Sequence, residues 1–340
     1  MPGLVSSTGS EPRATGTLPS FSVVIPAFQA AAHISAAVSS VLEQHPPALD
    51  VIVCDDGSTD GTADALARFG RSVRVVRKAN GGEASARNAG ARVARGDYVA
   101  FLDADDRFLP GRLEALGQAA SAQPDVDVFT TDAFLEVDDR FVGRCYEDQE
   151  FPVGDQRRAI LTSNFVFGHV AIRRSCLLAA GGYDESIRFT TDWELWIRLI
   201  LAGSRVALVD APLAVYRLHP GAASSRRLEM CHGRLSTLAK AREHPCLSDP
   251  ERAVVEETIA AERLRLQREQ LLEALAAGDR TAARWLAHGC LGSASQPRRA
   301  RVRAAVALVA PRFAGLIVRR ERRRYAVGAG ERRIARVPEP

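Results

Sequence analysis

Gly96-Asp97-Tyr98-Val99-Ala100-Phe101-Leu102-Asp103-Ala104-Asp105-Asp106 is an apolar run that ends in three closely spaced carboxylates. Tyr98 to Leu102 is short, flanked by Gly96 and Pro110, and rich in aromatic and β-branched residues, which is the composition of a buried strand. The carboxyl ends of strands in an open α/β sheet border the ligand crevice. Like charges this close repel unless a cation or protons neutralise them, and oxygen donors suit Mg²⁺ or Mn²⁺. The stretch reads as a site for a metal nucleotide. Taken alone it reads as readily as a solvated acidic turn capping a helix over Arg112 to Ala120, so the neighbouring segments have to decide.

Upstream, Phe21 to Ile25 is a strand closed by Pro26, and Ala30 to Glu43 has apolar Ile34, Val38, Val41 and Leu42 at helical spacing before Pro46-Pro47 stops it. Leu49 to Cys54 is a second apolar strand, Thr62 to Phe69 a helix, Val73 to Val76 a third strand and Glu83 to Ala94 a third helix. The order β-α-β-α-β-α-β, with strands apolar throughout, predicts a parallel sheet covered by helices on both faces. Neither GxGxxG nor GxxxxGK[ST] follows any strand, so phosphates must be held some other way, and a metal on carboxylates is the available one.

Downstream the pattern loosens. Strand pieces are expected over Val126 to Thr130, Asp132 to Val137, Phe165 to Ile172, Val206 to Val209 and Ala214 to Arg217. Helices are expected over Gln156 to Thr162, Arg174 to Ala180 and Thr191 to Ala202. Beyond Ser225 the chain turns helical, with Glu251 to Ala277 rich in Glu, Arg, Leu and Ala, and a linker near Gly292 to Gln296 precedes a basic tail.

The whole chain of 340 residues has a net charge of +4, but Arg298 to Arg336 holds 13 Arg and 2 Glu, or +11, leaving −7 for the rest. That division speaks against a nucleic-acid-binding catalytic body. The six cysteines lack CxxC spacing, which indicates neither a zinc site nor a disulfide framework and suits a reducing compartment. No apolar run reaches the length of a membrane span, and residues 1–20, expected to be a disordered lead-in, lack the basic region and apolar core of a signal peptide.

Four clusters can carry chemistry. Pro26-Ala27-Phe28 and Asp55-Asp56-Gly57-Ser58 end the first two strands and so lie on the same sheet edge as Asp103 to Asp106. An Asp there can accept a pyrimidine ring N–H, although the second segment also reads as a turn with a helix cap. In Gly81 to Gly90, Arg87 or Asn88 could reach a ligand, while the small residues equally suit a helix packed close on the sheet. Thr190-Thr191-Asp192-Trp193-Glu194-Leu195-Trp196 opens a helix with two acids on different faces, which reads either as a cap or as a base with a paired or solvated neighbour.

Taken together, Val23-Val24-Ile25-Pro26-Ala27-Phe28, Val53-Cys54-Asp55-Asp56-Gly57-Ser58-Thr59-Asp60, Ala86-Arg87-Asn88-Ala89-Gly90, Leu102-Asp103-Ala104-Asp105-Asp106, Asp192-Trp193-Glu194-Leu195-Trp196 and Tyr216-Arg217-Leu218-His219 resemble glycosyltransferase family 2. The resemblance covers about Phe21 to Ser225. It implies the GT-A fold, a Rossmann-like mostly parallel sheet flanked by helices, here with a C-terminal helical extension. The implied divisions are a nucleotide half over 21–106, an acceptor half over 107–225, a helical extension over 226–297 and the basic tail over 298–340. By the same resemblance Pro26, Ala27, Phe28, Asp55, Asp56, Arg87, Asn88, Asp103 and Ala104 would bind the nucleotide sugar. Asp105 and Asp103, with His219 as a further contact, would hold Mg²⁺ or Mn²⁺, Asp106 would be a helix cap or sugar contact, and Asp192 would be the general base. The implied reaction is transfer of one sugar, with inversion, from a UDP-, GDP- or dTDP-sugar to a hydroxyl of a glycan or lipid-linked glycan.

Three departures bear on this. Phe28 stands where Tyr is common, which keeps a stacking surface without the hydroxyl; Thr191 precedes Asp192 where an acid is frequent; and no QxxRW follows, which speaks against a processive synthase. Clustered arginines and apolar residues over Arg298 to Arg324 would suit an anionic membrane surface, giving an expected location in the cytoplasm or peripherally on the inner face of the membrane. The same segment also reads as an ordinary helical extension packed on the body. Two other classes are open: a sugar-phosphate nucleotidyltransferase, which would want a Gly-rich basic loop where Pro26-Ala27-Phe28-Gln29 stands, and a non-catalytic scaffold of the same fold.

Overall fold

The computed structural model of the chain describes residues 18–147, 150–292 and 295–328. Most of the expected lead-in and the last part of the basic tail, 329–340, lie outside the described residues. Strands β1 (Phe21–Ala27), β2 (Asp50–Asp55), β3 (Arg74–Arg77) and β4 (Tyr98–Phe101) alternate with helices α1 (Ile34–Leu42), α2 (Thr62–Ala67) and α3 (Glu83–Val93). They pair in parallel in the order β3-β2-β1-β4. Every residue of β1 is buried. Val24, Ile52, Val99 and Phe101 pack on one side with α3, while Val23, Ile25, Val53 and Ala100 pack on the other with α1, which explains why these strands show no polar alternation. Pro26 lies inside β1 and does not close it. Pairing with β4 has ended by Val24, so the missing N–H interrupts only the last residues of the central strand.

The rest of the sheet is of mixed direction. It adds β5 (Arg107–Phe108), α4 (Arg112–Ala122), β6 (Val128–Val137), β7 (Arg140–Arg144), α5 (Gln156–Thr162), β8 (Val170–Arg173), α6 (Arg174–Ala179), α7 (Thr191–Leu201) and β9 (Val206–Arg217). β8 runs antiparallel to both β4 and β6, and β9 runs parallel to β6. Two reversals restore the direction, so β6 and β9 end on the same edge as β1, β2 and β4. The expected strand over Phe165 to Ile172 shrinks to β8. Phe165 and Val166 are buried in a loop whose backbone is satisfied by the Tyr146 hydroxyl and the Asn164 side chain, so their apolar character reports burial without pairing.

Beyond β9, α8 (Arg227–Arg242) packs against α9 (Asp249–Ala277), which starts with a capping box between Ser248 and Glu251. The 29 residues of α9 make a rod about 43 Å long. Its first half joins the main core through Val254, Val255 and Ile259. Its second half forms a separate small core through Leu271 and Leu275 with α10 (Arg280–Gly292), α11 (Arg298–Val309) and α12 (Pro311–Gly328). Among the described residues no helix is long and apolar enough to cross a membrane.

Candidate active site

The loops after β1, β2, β4 and β9 meet at one edge of the sheet. Leu102 N–H donates to the Val24 carbonyl at 3.1 Å and Asp56 N–H to that of Ala27 at 2.8 Å, which fixes the three nucleotide-half loops side by side. Pro26 and Ala27 are buried beneath them, and Phe28 projects from the first loop, 54% exposed and free to stack on a flat ligand. Gln29 takes a left-handed backbone, φ 51°, and its side-chain oxygen accepts the Thr59 and Asp60 N–H groups at 2.8 and 3.2 Å. A non-glycine residue in that conformation is strained, and here the strain lies between two loops of the crevice.

Asp55 and Asp56 are buried and already hydrogen-bonded. Asp55 accepts from Ser58 N–H at 2.9 Å and Arg77 Nε at 3.1 Å. Asp56 accepts from Lys78 Nζ at 2.6 Å and from the N–H groups of Gly81 and Gly82 at 3.0 and 2.7 Å, which ties the start of α3 to the end of β2.

At the end of β4, Asp103, Ala104 and Asp105 are half-buried, whereas Asp106 is buried. Arg87 Nη2 reaches Asp103 at 2.7 Å and Glu83 at 2.5 Å, with its guanidinium 5.3 Å from the Tyr183 ring centroid. One buried cation thus holds two acids of the site, and the burial is made possible by those charges. Asp105 meets His219 Nε2 at 2.8 Å, since β9 delivers His219 to the edge where β4 ends. The carboxylates of Asp103 and Asp105 and the His219 imidazole keep roughly a third of their side-chain surface open. Oxygen and imidazole donors that are open and can exchange a mutual hydrogen bond for a cation fit a divalent metal such as Mn²⁺.

Asp106 does not cap a helix, and its carboxylate is buried. Its carboxylate accepts from Arg217 N–H at 2.8 Å and lies 2.6 Å from His169 Nε2, and α4 starts only at Arg112. Burial pushes Asp106 up to about 6, against the pull of His169. Asp103, Asp106 and His169 bring ligand atoms within 4.8 Å of one another, but Asp106 and His169 are closed in, which makes them the footing of the acidic loop. Asn88 is likewise turned away from the crevice: its amide accepts from Tyr183 N–H at 2.8 Å and donates to the Tyr183 carbonyl at 2.8 Å and Glu185 at 2.9 Å. It clamps the loop before α7 onto α3.

Asp192 stands in the first turn of α7, half-buried, accepting from Asn164 Nδ2 at 2.9 Å. Burial raises its pKa against the opposing charge of Arg87, so its ionised form is a readier proton acceptor than an ordinary carboxylate. Glu194 faces away, paired with Arg198 at 2.6 Å. The residue before the helix, Thr190, is left-handed at φ 61° and is held from α8 by the Thr237 hydroxyl at 2.9 Å. For a β-branched residue this is a costly conformation, and it sets the entry angle of the helix that carries Asp192.

Residues 22–178 match the family model described as glycosyl transferase family 2. Over that stretch, just under half of the chain, the sequence is similar to family 2 glycosyltransferases. The chondroitin synthase of Pasteurella multocida (strain Pm70) is 32% identical to this chain over 190 residues, 55% of this chain and 19% of that protein, so the match spans only a small part of that curated relative. The crystal structure of S. aureus TarS 1-349 in complex with UDP-GlcNAc superposes with a TM-score of 0.57 at 18% identity, over 90% of this chain and 92% of that one. The mannosyltransferase PcManGT from Pyrobaculum calidifontis in complex with GDP-Man and Mn²⁺ gives 0.57 at 21%, over 89% and 87%. At these identities the likeness is one of fold, and the fold is GT-A. Neither the nucleotidyltransferase nor the scaffold reading is favoured by these matches.

Several residues of this sheet edge carried no signal in the sequence. His33, at the start of α1, accepts from Arg217 Nη1 at 3.0 Å and lies 6.3 Å from the His219 ring. His169 and Asn164 come from the irregular acceptor half, where no motif marks them, and Thr190 opens the Asp192 cluster with nothing in the sequence to show its left-handed backbone. Glu83 could have been found, since its spacing of four from Arg87 on α3 predicts an ion pair.

Proposed function

We propose that the chain moves one sugar per encounter, with inversion, from a nucleotide-diphosphate sugar to an acceptor hydroxyl. The observation that carries this reading is the convergence on one sheet edge of Asp103 and Asp105, the exposed Phe28 ring, and a half-buried Asp192 whose pKa is raised by burial. Phe28 stacks on the base, and Asp55 and Asp56 set the loops that receive base and ribose. Arg87 holds the Asp103 carboxylate in place. Asp192 takes the acceptor's proton as its oxygen forms the bond to the anomeric carbon and the bond from that carbon to the diphosphate oxygen breaks on the opposite side. When bound, a divalent cation held by Asp103 and Asp105 with His219 would supply positive charge to the departing diphosphate.

The donor is a UDP-, GDP- or dTDP-sugar, a class supported by the UDP-GlcNAc and GDP-Man in the two neighbouring structures. The acceptor is a glycan or lipid-linked glycan of a cell-surface polymer, in keeping with a relative named chondroitin synthase, and the enzyme works in the cytoplasm or on the inner face of the membrane. Calorimetric titration with the three donor classes, with and without Mn²⁺, tests the reading. Metal-dependent binding of one class is expected; absence of binding to all of them would sink it.

A further inference from the structure

Helices α11 and α12 are packed in the opposite sense to an ordinary surface helix. They bury their small residues, Ala304, Ala307 and Ala314, together with Val318, and expose their large ones. Val302 is 57% exposed, Val309 86%, Phe313 59% and Leu316 59%. A Cβ added at Gly315 would lie 2.7 Å from the Leu275 carbonyl, so α12 lies backbone-close on α9 and its bulkier residues have no room on that side. At 3.6 residues per turn, Val302, Val306 and Val309 form one stripe of α11, and Phe313, Leu316 and Ile317 one stripe of α12, turned away from Ala314 and Val318. Where the helices meet, a groove of about 400 Å³ is lined by Val302, Val306 and Ile317 with Arg298 and Arg299 at its rim.

We infer that this face of α11 and α12 is a docking surface for an anionic phospholipid bilayer. Charge selects that occupant. A second copy would bring one segment of +11 against another, whereas a leaflet of phosphate headgroups complements it and is repelled by the remaining −7 of the chain, which orients the enzyme. A nucleic acid would satisfy the arginines but leave Val309, Phe313 and Leu316 uncovered. In a bilayer the apolar stripe enters the acyl boundary while the arginine heads stay among the phosphates. The inference stands on this surface and does not depend on the reading of the active site.

The test is co-sedimentation of the full chain with vesicles of phosphatidylglycerol and phosphatidylcholine, and with phosphatidylcholine alone. Binding is expected only to the anionic vesicles and should weaken as salt rises. The triple variant Phe313→Ser, Leu316→Ser, Ile317→Ser should partition roughly tenfold or more weakly, with thermal melting and donor affinity unchanged because those side chains are outside the small core. No sedimentation with anionic vesicles, equal binding to neutral ones, or undiminished binding by a variant that melts normally would overturn the inference. So would lipid-free dimerisation of the wild type that the triple variant abolishes, which would give the face to a second copy.

Discussion

Asp192→Asn removes the proposed base with the least change of shape. The amide can turn its oxygen to Asn164 Nδ2, so the 2.9 Å hydrogen bond at the start of α7 survives. What is lost is the capacity to take a proton, and positioned general bases contribute about 10²- to 10⁴-fold. At about 1.36 kcal/mol per decade this is roughly 2.7 to 5.4 kcal/mol of barrier. The stability effect has the opposite sign. Burial raises the Asp192 pKa, so folding favours its protonated form. Its contribution to stability is fully present below the ordinary carboxylate pKa and is lost as pH rises through the raised value. Above that raised value the wild type therefore holds an ionised group that the fold disfavours, and there the neutral amide should leave the melting temperature unchanged or higher. Nucleoside-diphosphate release in the presence of acceptor measures the first effect, and scanning calorimetry the second. The wild-type rate should fall on acidification through a pKa above the usual carboxylate range, and the residual rate of the variant should lack that limb. Full transfer by the variant would refute the assignment; so would a loss of transfer that comes with a collapsed melting transition, since the deficit would then be one of folding.

Two further substitutions address the scaffold around the site. Asn88→Ala should leave the Tyr183 N–H and carbonyl unpaired, costing about 1–3 kcal/mol for each group that water cannot reach; denaturant unfolding measures it, and Mn²⁺-dependent donor affinity should fall less than the acceptor KM rises. Gly90→Ala would place a Cβ 2.4 Å from Val24 Cγ1 and 2.9 Å from Cys54 Sγ, an overpacking of roughly 1–3 kcal/mol that should lower the melting temperature without changing the pH profile.

The nucleotide half was legible because its strands are apolar on both faces and punctuated by Gly and Pro, so the strand ends and their acids could be placed on one edge from order alone. Asp103 and Asp105 follow from that placement, whereas Asp192, at the start of α7, and His219, after β9, were singled out by the family resemblance. The irregular half was less legible because burial and pairing separate there. Phe165 and Val166 look like a strand only because they are buried. Asn88 and Asp106 look like ligand residues from their motifs. Which groups they bond is set by loops arriving from Tyr183 and His169, 95 and 63 residues further along and in neither case marked by spacing, so only the packed structure reveals it. In the tail, the break at Pro311 was readable, but the inward turn of the alanines depends on how closely α9 approaches.

The claim that the acids at the end of β4 hold a metal nucleotide is tested most directly by electron paramagnetic resonance of Mn²⁺ titrated with the protein. The account predicts that UDP, GDP or dTDP causes the free-ion signal to be lost on the wild type, and that Asp105→Asn weakens this uptake by about tenfold or more while melting normally. Uptake that ignores the nucleotide, or that is untouched by Asp105→Asn, would contradict it.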